Sequence, residues 1–275
     1  MFKKESYKIK EGYNKEEVIK ILENFNNEGT MVFNGERNKI KKVSIKKKNY
    51  EKELNIKQFK KKGFFVKLFY KINKKGSKAK RSYDYAIKLL EKGIKTPEPI
   101  AYFDEIYMKE EGENRSFYIS ENINYDFTCR EVFWNEKVEK KLELELEKNK
   151  DKIIRGFAEY TFKLHENGVK FDDYSPGNIL IKKEKNGDYS YYLIDLNRMS
   201  FFDKLSFKVR MKNVSRMMED KDYVKNFSKE YSKLYKEKSY DEIFEKMYYY
   251  VKLHNFKDKL HNIRRAIKRL LKSKK

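Results

Sequence analysis

Leu164-His165-Glu166-Asn167-Gly168-Val169-Lys170-Phe171-Asp172-Asp173-Tyr174-Ser175-Pro176-Gly177-Asn178-Ile179-Leu180, followed by Tyr192-Leu193-Ile194-Asp195, is the stretch whose reading decides the fold. It holds an acid (Asp173), an amide five residues on (Asn178), and a second acid (Asp195) at the end of an apolar run. Pro176-Gly177 makes a tight turn that returns Asn178 towards Asp173. An amphipathic helix over 151–167 precedes it, through Ile153, Ile154, Phe157, Ala158, Tyr160, Phe162 and Leu164. Strands at Ile179–Ile181 and Tyr191–Ile194 follow, turning at Asn186-Gly187. An isolated acid and amide at this spacing would read as an ordinary turn. Helix, loop, hairpin and terminal acid in this order read as a site.

The chemistry that needs such a kit is phosphoryl transfer. Its transition state is loose, so the protein mainly positions groups and neutralises charge. Asp173 is the expected base, accepting the proton of an acceptor hydroxyl. Asn178 and Asp195 supply oxygen ligands for Mg²⁺, a hard cation, against the phosphates of ATP. His165, near the end of the preceding helix, reads as a packing or capping histidine and is given no catalytic role.

Working outward, residues 15–27 read as a short amphipathic helix. From Thr30, Met31-Val32-Phe33, then Ile40, Val43 and Ile45, then Leu54, Ile56 and Phe59 suggest an antiparallel sheet. Ala79, Tyr83, Ala86, Leu89 and Leu90 give a helix over 78–92 capped by Gly93. Ile100–Phe103 and Ser116–Ser120 are two more strands, and helices dominate afterwards. The Leu-Glu alternation from Val138 to Leu146 fits neither period cleanly. This order predicts an α+β, protein-kinase-like bilobal fold, with a small β-rich N-lobe over 1–121 and a larger helical C-lobe over 122–275.

That fold asks for a lysine on an inward-facing strand position to meet the ATP phosphates. Lys57 is preferred because it precedes an insertion and the 78–92 helix; Lys67 has a similar local look. The acid that orients Lys57 should come from that helix, where Asp84 is the only acid in the middle and Glu91 lies near the end. The phosphate-covering loop is placed at Gly35 and Arg37, a segment that equally suits a plain hairpin turn. Backbone groups at Glu121 and Ile123 are expected to meet adenine, on position alone.

Composition sets the bounds. The chain has 275 residues, 39% hydrophobic and 16% aromatic, enough for a real core despite 40% charged residues. A single Cys129 and three His give neither a disulfide nor a zinc cluster. No apolar segment follows Met1-Phe2-Lys3-Lys4-Glu5 and no run of about 18 apolar residues occurs, so neither a signal peptide nor a membrane span is expected and the cytoplasm is the default. The net charge of +23 attracts polyanions or reflects a lysine-rich proteome. Residues 252–275 carry ten Lys/Arg against Asp258, with an apolar stripe at Leu260, Ile263, Ile267, Leu270 and Leu271. This is either a basic amphipathic helix that lies on an anionic membrane or a last helix docked on its lobe.

Several strings in order resemble the lipopolysaccharide core kinase family, the Kdo/heptose kinases. They are Lys57-Gln58-Phe59, Ser77-Lys78-Ala79-Lys80-Arg81-Ser82-Tyr83, Gly93 to Ile100, Asp173 to Leu180, and Ile194-Asp195-Leu196-Asn197-Arg198-Met199. The resemblance runs from about Gly35 to the terminal basic helix. It implies transfer of the ATP γ-phosphate to a sugar hydroxyl of the lipopolysaccharide inner core on a lipid A precursor, by a protein peripheral to the cytoplasmic face of the inner membrane. It implies the roles given above for Lys57, Asp173, Asn178 and Asp195. Phe171 stands where many kinases have His, and Leu196-Asn197 follow Asp195 in place of Phe-Gly. Ser175 replaces the phosphate-binding Lys of protein kinases, which favours a sugar or small-molecule acceptor. The alternatives are another kinase-like phosphotransferase acting on a protein or small alcohol, and an inactive basic module holding RNA or anionic lipid. The intact acid, amide and lysine set argues against the last, and nucleic acid is not the expected partner.

Overall fold

Period-two alternation builds the first sheet. In the strand Asn38–Lys47 (β3), Val43 and Ile45 are buried; in its neighbour Tyr50–Phe59 (β4), Leu54 and Ile56 are buried on the same face. The computed structural model describes residues 6–36, 38–47, 50–60, 76–134, 136 and 138–273. The chain divides into two compact units: Met1–Asn124 with Ile194–Arg198, and Tyr125–Leu193 with Met199–Lys275.

In the first unit a six-stranded antiparallel sheet also contains Tyr7–Ile9 (β1), Thr30–Asn34 (β2), Pro99–Met108 (β5) and Glu113–Glu121 (β6), in the order β1-β5-β6-β4-β3-β2. The sequence places no strand before Thr30. Tyr7–Ile9 nonetheless extends the sheet by pairing with Phe103–Ala101. Two helices supply the apolar cover. Lys15–Glu23 (α1), capped by Asn14, buries Val18 and Leu22 in a core with Phe25, Val43, Ile56, Phe103 and Phe117. Lys78–Glu91 (α2), capped by Ser77 on the Lys80 N–H, joins Ala79 and Tyr83 to a second cluster with Phe59, Tyr102 and Tyr118. Gly93, at φ 65°, ends α2 while the Ile94 N–H reaches back to the Leu89 carbonyl.

The second unit is led by one long helix, Lys140–Glu166 (α4), preceded by Phe127–Thr128 (β7) and the short helix Cys129–Phe133 (α3). The Leu-Glu alternation at its start is helical, and Leu144 is 58% exposed there, so the ambiguous stretch simply extends the amphipathic helix. Phe157 on its buried face lies within 5.1–6.3 Å, ring to ring, of Phe133, Tyr174, Tyr191 and Phe227. A strand pair, Val169–Phe171 (β8) with Met199–Phe201 (β11), and the hairpin Ile179–Lys183 (β9) with Tyr189–Leu193 (β10) frame the loop between them in sequence. Helices Phe207–Val214 (α5), Lys221–Leu234 (α6) and Tyr240–Ser273 (α7) complete the unit.

Candidate active site

In the first unit the site is built around Lys57. On β4 its side chain shares a face with Phe59, the face covered by α2, and the residue is 8% exposed. Taking an ammonium out of water at that depth demands a counter-charge. Asp195 provides it: Lys57 Nζ donates to Asp195 Oδ1 at 2.7 Å. The same oxygen accepts from Asn197 Nδ2 at 2.6 Å. Asp195 sits at φ 58°, the only non-glycine residue with a left-handed backbone among the described residues. Asp is one of the few side chains that tolerates this conformation, at a cost.

The acid anticipated for Lys57 is corrected here. Asp84 accepts from Lys80 Nζ at 2.5 Å, one turn earlier on the same helix. A local i,i+4 pair captures the shorter Asp side chain, and the carboxylate on Lys57 comes from a residue 138 positions away. Arg81, on α2, anchors the Asp195 segment instead: its Nε donates to the Asn197 carbonyl at 3.0 Å and its Nη1 to the Gly76 carbonyl at 2.8 Å. Both Arg81 and Asn197 lie inside the strings that carry the family resemblance, so a signal for them was present in the sequence without a role attached.

Gly35 lies in the β2–β3 hairpin, its N–H bonded to the Asn38 carbonyl at 3.0 Å. The Phe33 ring folds over it so closely that a Cβ would stand 2.5 Å from that ring. Arg37 and the rival Lys67 lie outside the described residues. The Glu121 side chain is committed to Lys52, and its N–H donates to the Glu98 carbonyl at 2.9 Å. Ile123 follows two residues beyond, half-buried.

In the second unit the loop Asp172–Asn178 is held by its carbonyls. Asn178 Nδ2 donates to the Asp173 carbonyl at 2.9 Å, which realises the expected return of Asn178 to Asp173. Asn213 Nδ2 donates to the Phe171 carbonyl at 2.7 Å, and Arg216 Nη1 to the Asp172 carbonyl at 2.9 Å. Directly after Asp173, Tyr174 turns fully inward, where its hydroxyl meets Thr161 Oγ1 at 2.7 Å. Asp172 is taken by Lys170 at 2.5 Å, while Asp173 is half-buried. Asn213, Arg216 and Thr161 lie outside every quoted motif and gave no sequence signal.

His165 is fully buried, with Nδ1 2.9 Å from the Tyr231 hydroxyl. Burial and the nearby Arg210 charge pull its pKa from 6.5 to about 3, so it is neutral at physiological pH. Arg210, itself buried, pairs with Glu166 at 2.5 Å and lies over the Tyr235 ring.

The family model "Lipopolysaccharide kinase (Kdo/WaaP) family" matches residues 19–237. The chain belongs to the Kdo/WaaP lipopolysaccharide kinase family. Members of this family are phosphotransferases that use ATP. A solved structure described as WaaP in complex with acyl carrier protein superposes with a TM-score of 0.57 at 15% identity, covering 91% of this chain and 97% of that one. The likeness establishes a protein-kinase-like fold for this Kdo/WaaP kinase. No curated protein sequence matches.

Proposed function

We propose that this kinase transfers the γ-phosphoryl group of ATP to a hydroxyl of an inner-core sugar, Kdo or heptose, on a lipid A–linked acceptor at the cytoplasmic face of the membrane. Asp173 takes the proton of the acceptor hydroxyl. The hydroxyl oxygen bonds to the γ-phosphorus as the bond to the β–γ bridging oxygen breaks, and ADP leaves. Lys57 meets the ATP phosphates, with Gly35 and Arg37 covering them and the backbones of Glu121 and Ile123 meeting adenine.

Asn178 and Asp195 are the proposed Mg²⁺ ligands. Their donors suit a hard cation: the Asn178 amide nitrogen is spent on the Asp173 carbonyl, which leaves the amide oxygen as the donor atom, and Asp195 brings a carboxylate. When bound, the metal offsets the negative charge of the phosphates.

The observation that carries this reading is the buried Lys57 held at 2.7 Å by Asp195, which puts the lysine proposed for the phosphates beside the carboxylate proposed for the metal. The test is ATP consumption with purified Kdo-lipid A and with its heptosylated form, and phosphorus NMR to locate the new monoester. Turnover that is absent with both acceptors, or that survives Asp173→Ala, overturns the proposal. Turnover on a protein or a small alcohol in their place would support the second phosphotransferase reading.

A further inference from the structure

Helix α7 changes character along its length. Its first half is docked: Ile243, Met247, Tyr250 and Val251 are 0–7% exposed. From Phe256 to Ile267 every residue is exposed. Four large apolar side chains nonetheless occur there, Phe256 at 60%, Leu260 at 41%, Ile263 at 56% and Ile267 at 50%. Spaced three and four apart, they form one stripe at about 100° per residue. Lys257 and Arg264 fall along one edge of that stripe and Lys252 and Lys259 along the other. The single acid, Asp258, falls on the opposite side of the helix, where it lies 3.2 Å from His254.

Of the two sequence alternatives for this helix, docking on its own unit does not hold for this half. An isolated exposed leucine is normal on a protein surface, whereas a continuous apolar stripe of four is the mark of an interaction site. The flanking cations fix the charge of that occupant as negative on both sides of an apolar centre. An acidic protein surface would supply charge but not a continuous apolar bed three turns long. A bilayer with anionic headgroups supplies both.

We infer that the Lys252–Ile267 segment of α7 lies in the interface of an anionic lipid bilayer, with Phe256, Leu260, Ile263 and Ile267 entering the acyl boundary and Lys252, Lys257, Lys259 and Arg264 at headgroup level. The inference is independent of the roles proposed for Asp173, Asn178 and Lys57, and it is read without turnover.

The test is sedimentation of the full chain with sucrose-loaded vesicles of phosphatidylglycerol and phosphatidylethanolamine, against vesicles of phosphatidylcholine alone. Binding is expected to the anionic vesicles and to weaken about tenfold as salt rises from ~0.05 to ~0.5 M. The combined Phe256→Ser, Leu260→Ser, Ile263→Ser variant should lose about tenfold in binding, and so should Lys257→Glu with Arg264→Glu. All five side chains are exposed, so melting temperatures should be unchanged. Equal binding to both vesicle types, or binding untouched by either variant, overturns the inference. It is likewise overturned if sedimentation velocity shows a dimer that the triple variant dissolves, or if the stripe binds an acidic protein while ignoring anionic vesicles.

Discussion

Lys57 Nζ and Asp195 Oδ1 meet at 2.7 Å across 138 residues of sequence, and both belong to the first unit. The lysine is the more buried of the two, with 10% of its side chain exposed against 35% for the aspartate. Each therefore depends on the other for position. Lys57→Met and Asp195→Asn should each lower kcat by ~10²-fold or more, the scale on which removal of one preorganised charge acts. The double variant should lose little beyond the worse single one, because the two act as a unit. Steady-state kinetics on the four proteins checks this; fully additive losses would show that the pair is not coupled.

The backbone at Asp195 supplies a separate expectation. At φ 58° a β-branched side chain is disfavoured, so Asp195→Val should cost ~1–2 kcal/mol more stability than Asp195→Asn. Urea unfolding of both variants measures the difference, with no substrate needed.

Gly168 ends α4 at φ 68°, and a Cβ there would stand 1.7 Å from the Phe202 carbonyl oxygen. The same Phe202 donates its N–H to the Gly168 carbonyl at 2.9 Å, which fixes β8 against β11 just before Asp173. Gly168→Ala should destabilise by ~2 kcal/mol or more, since backbone strain and clash add. A melting temperature within a degree of wild type would refute it.

Asn213 holds the loop from behind through the Phe171 carbonyl. Asn213→Ala removes the shorter of two hydrogen bonds to that oxygen and leaves it the Tyr174 N–H at 3.2 Å, at a cost of ~1 kcal/mol. If the bond positions Asp173, kcat should fall while KM for ATP stays near its wild-type value. A fall in stability with unchanged kcat would assign Asn213 a purely structural part.

His165 makes the protein acid-sensitive. Its folded pKa of about 3 lies below the unfolded 6.5, so the unfolded chain binds the extra proton. The neutral form's stability is fully present above 6.5 and is lost as pH falls from there towards 3, at about 1.4 kcal/mol per pH unit. Urea midpoints of wild type and His165→Gln at about pH 7 and about pH 5 isolate this one group from the carboxylates. The variant should show the shallower dependence; parallel curves would refute the assignment.

The parts of this architecture set by short-range rules were legible in the sequence. Strand alternation placed Lys57 on a sheet face because Leu54 and Ile56 mark the other one. Residue spacing alone anticipated that Asn178 returns to Asp173. The partner of Lys57 was not legible: Asp84 had the right helix, but Lys80 sits four residues away and takes it. The strand at Tyr7–Ile9 was hidden because three residues carry no period, and its pairing with β5 is set by tertiary contact. The loop supports Asn213 and Arg216 bond to backbone carbonyls, which every residue has, so no side-chain pattern announces them. The terminal helix showed its stripe in sequence, but only the structure tells which half of it is covered.

The chain leaves the second unit at Leu193, spends Ile194–Arg198 in the first, and returns at Met199. Those five residues carry Asp195 and Asn197. A fragment cut after residue 124 would keep the whole sheet and the lysine yet lose the carboxylate that balances it. The two units therefore cannot be exchanged or recombined as separate cassettes. Any split, duplication or fusion that preserves the first unit has to carry with it a stitch of sequence encoded deep within the second.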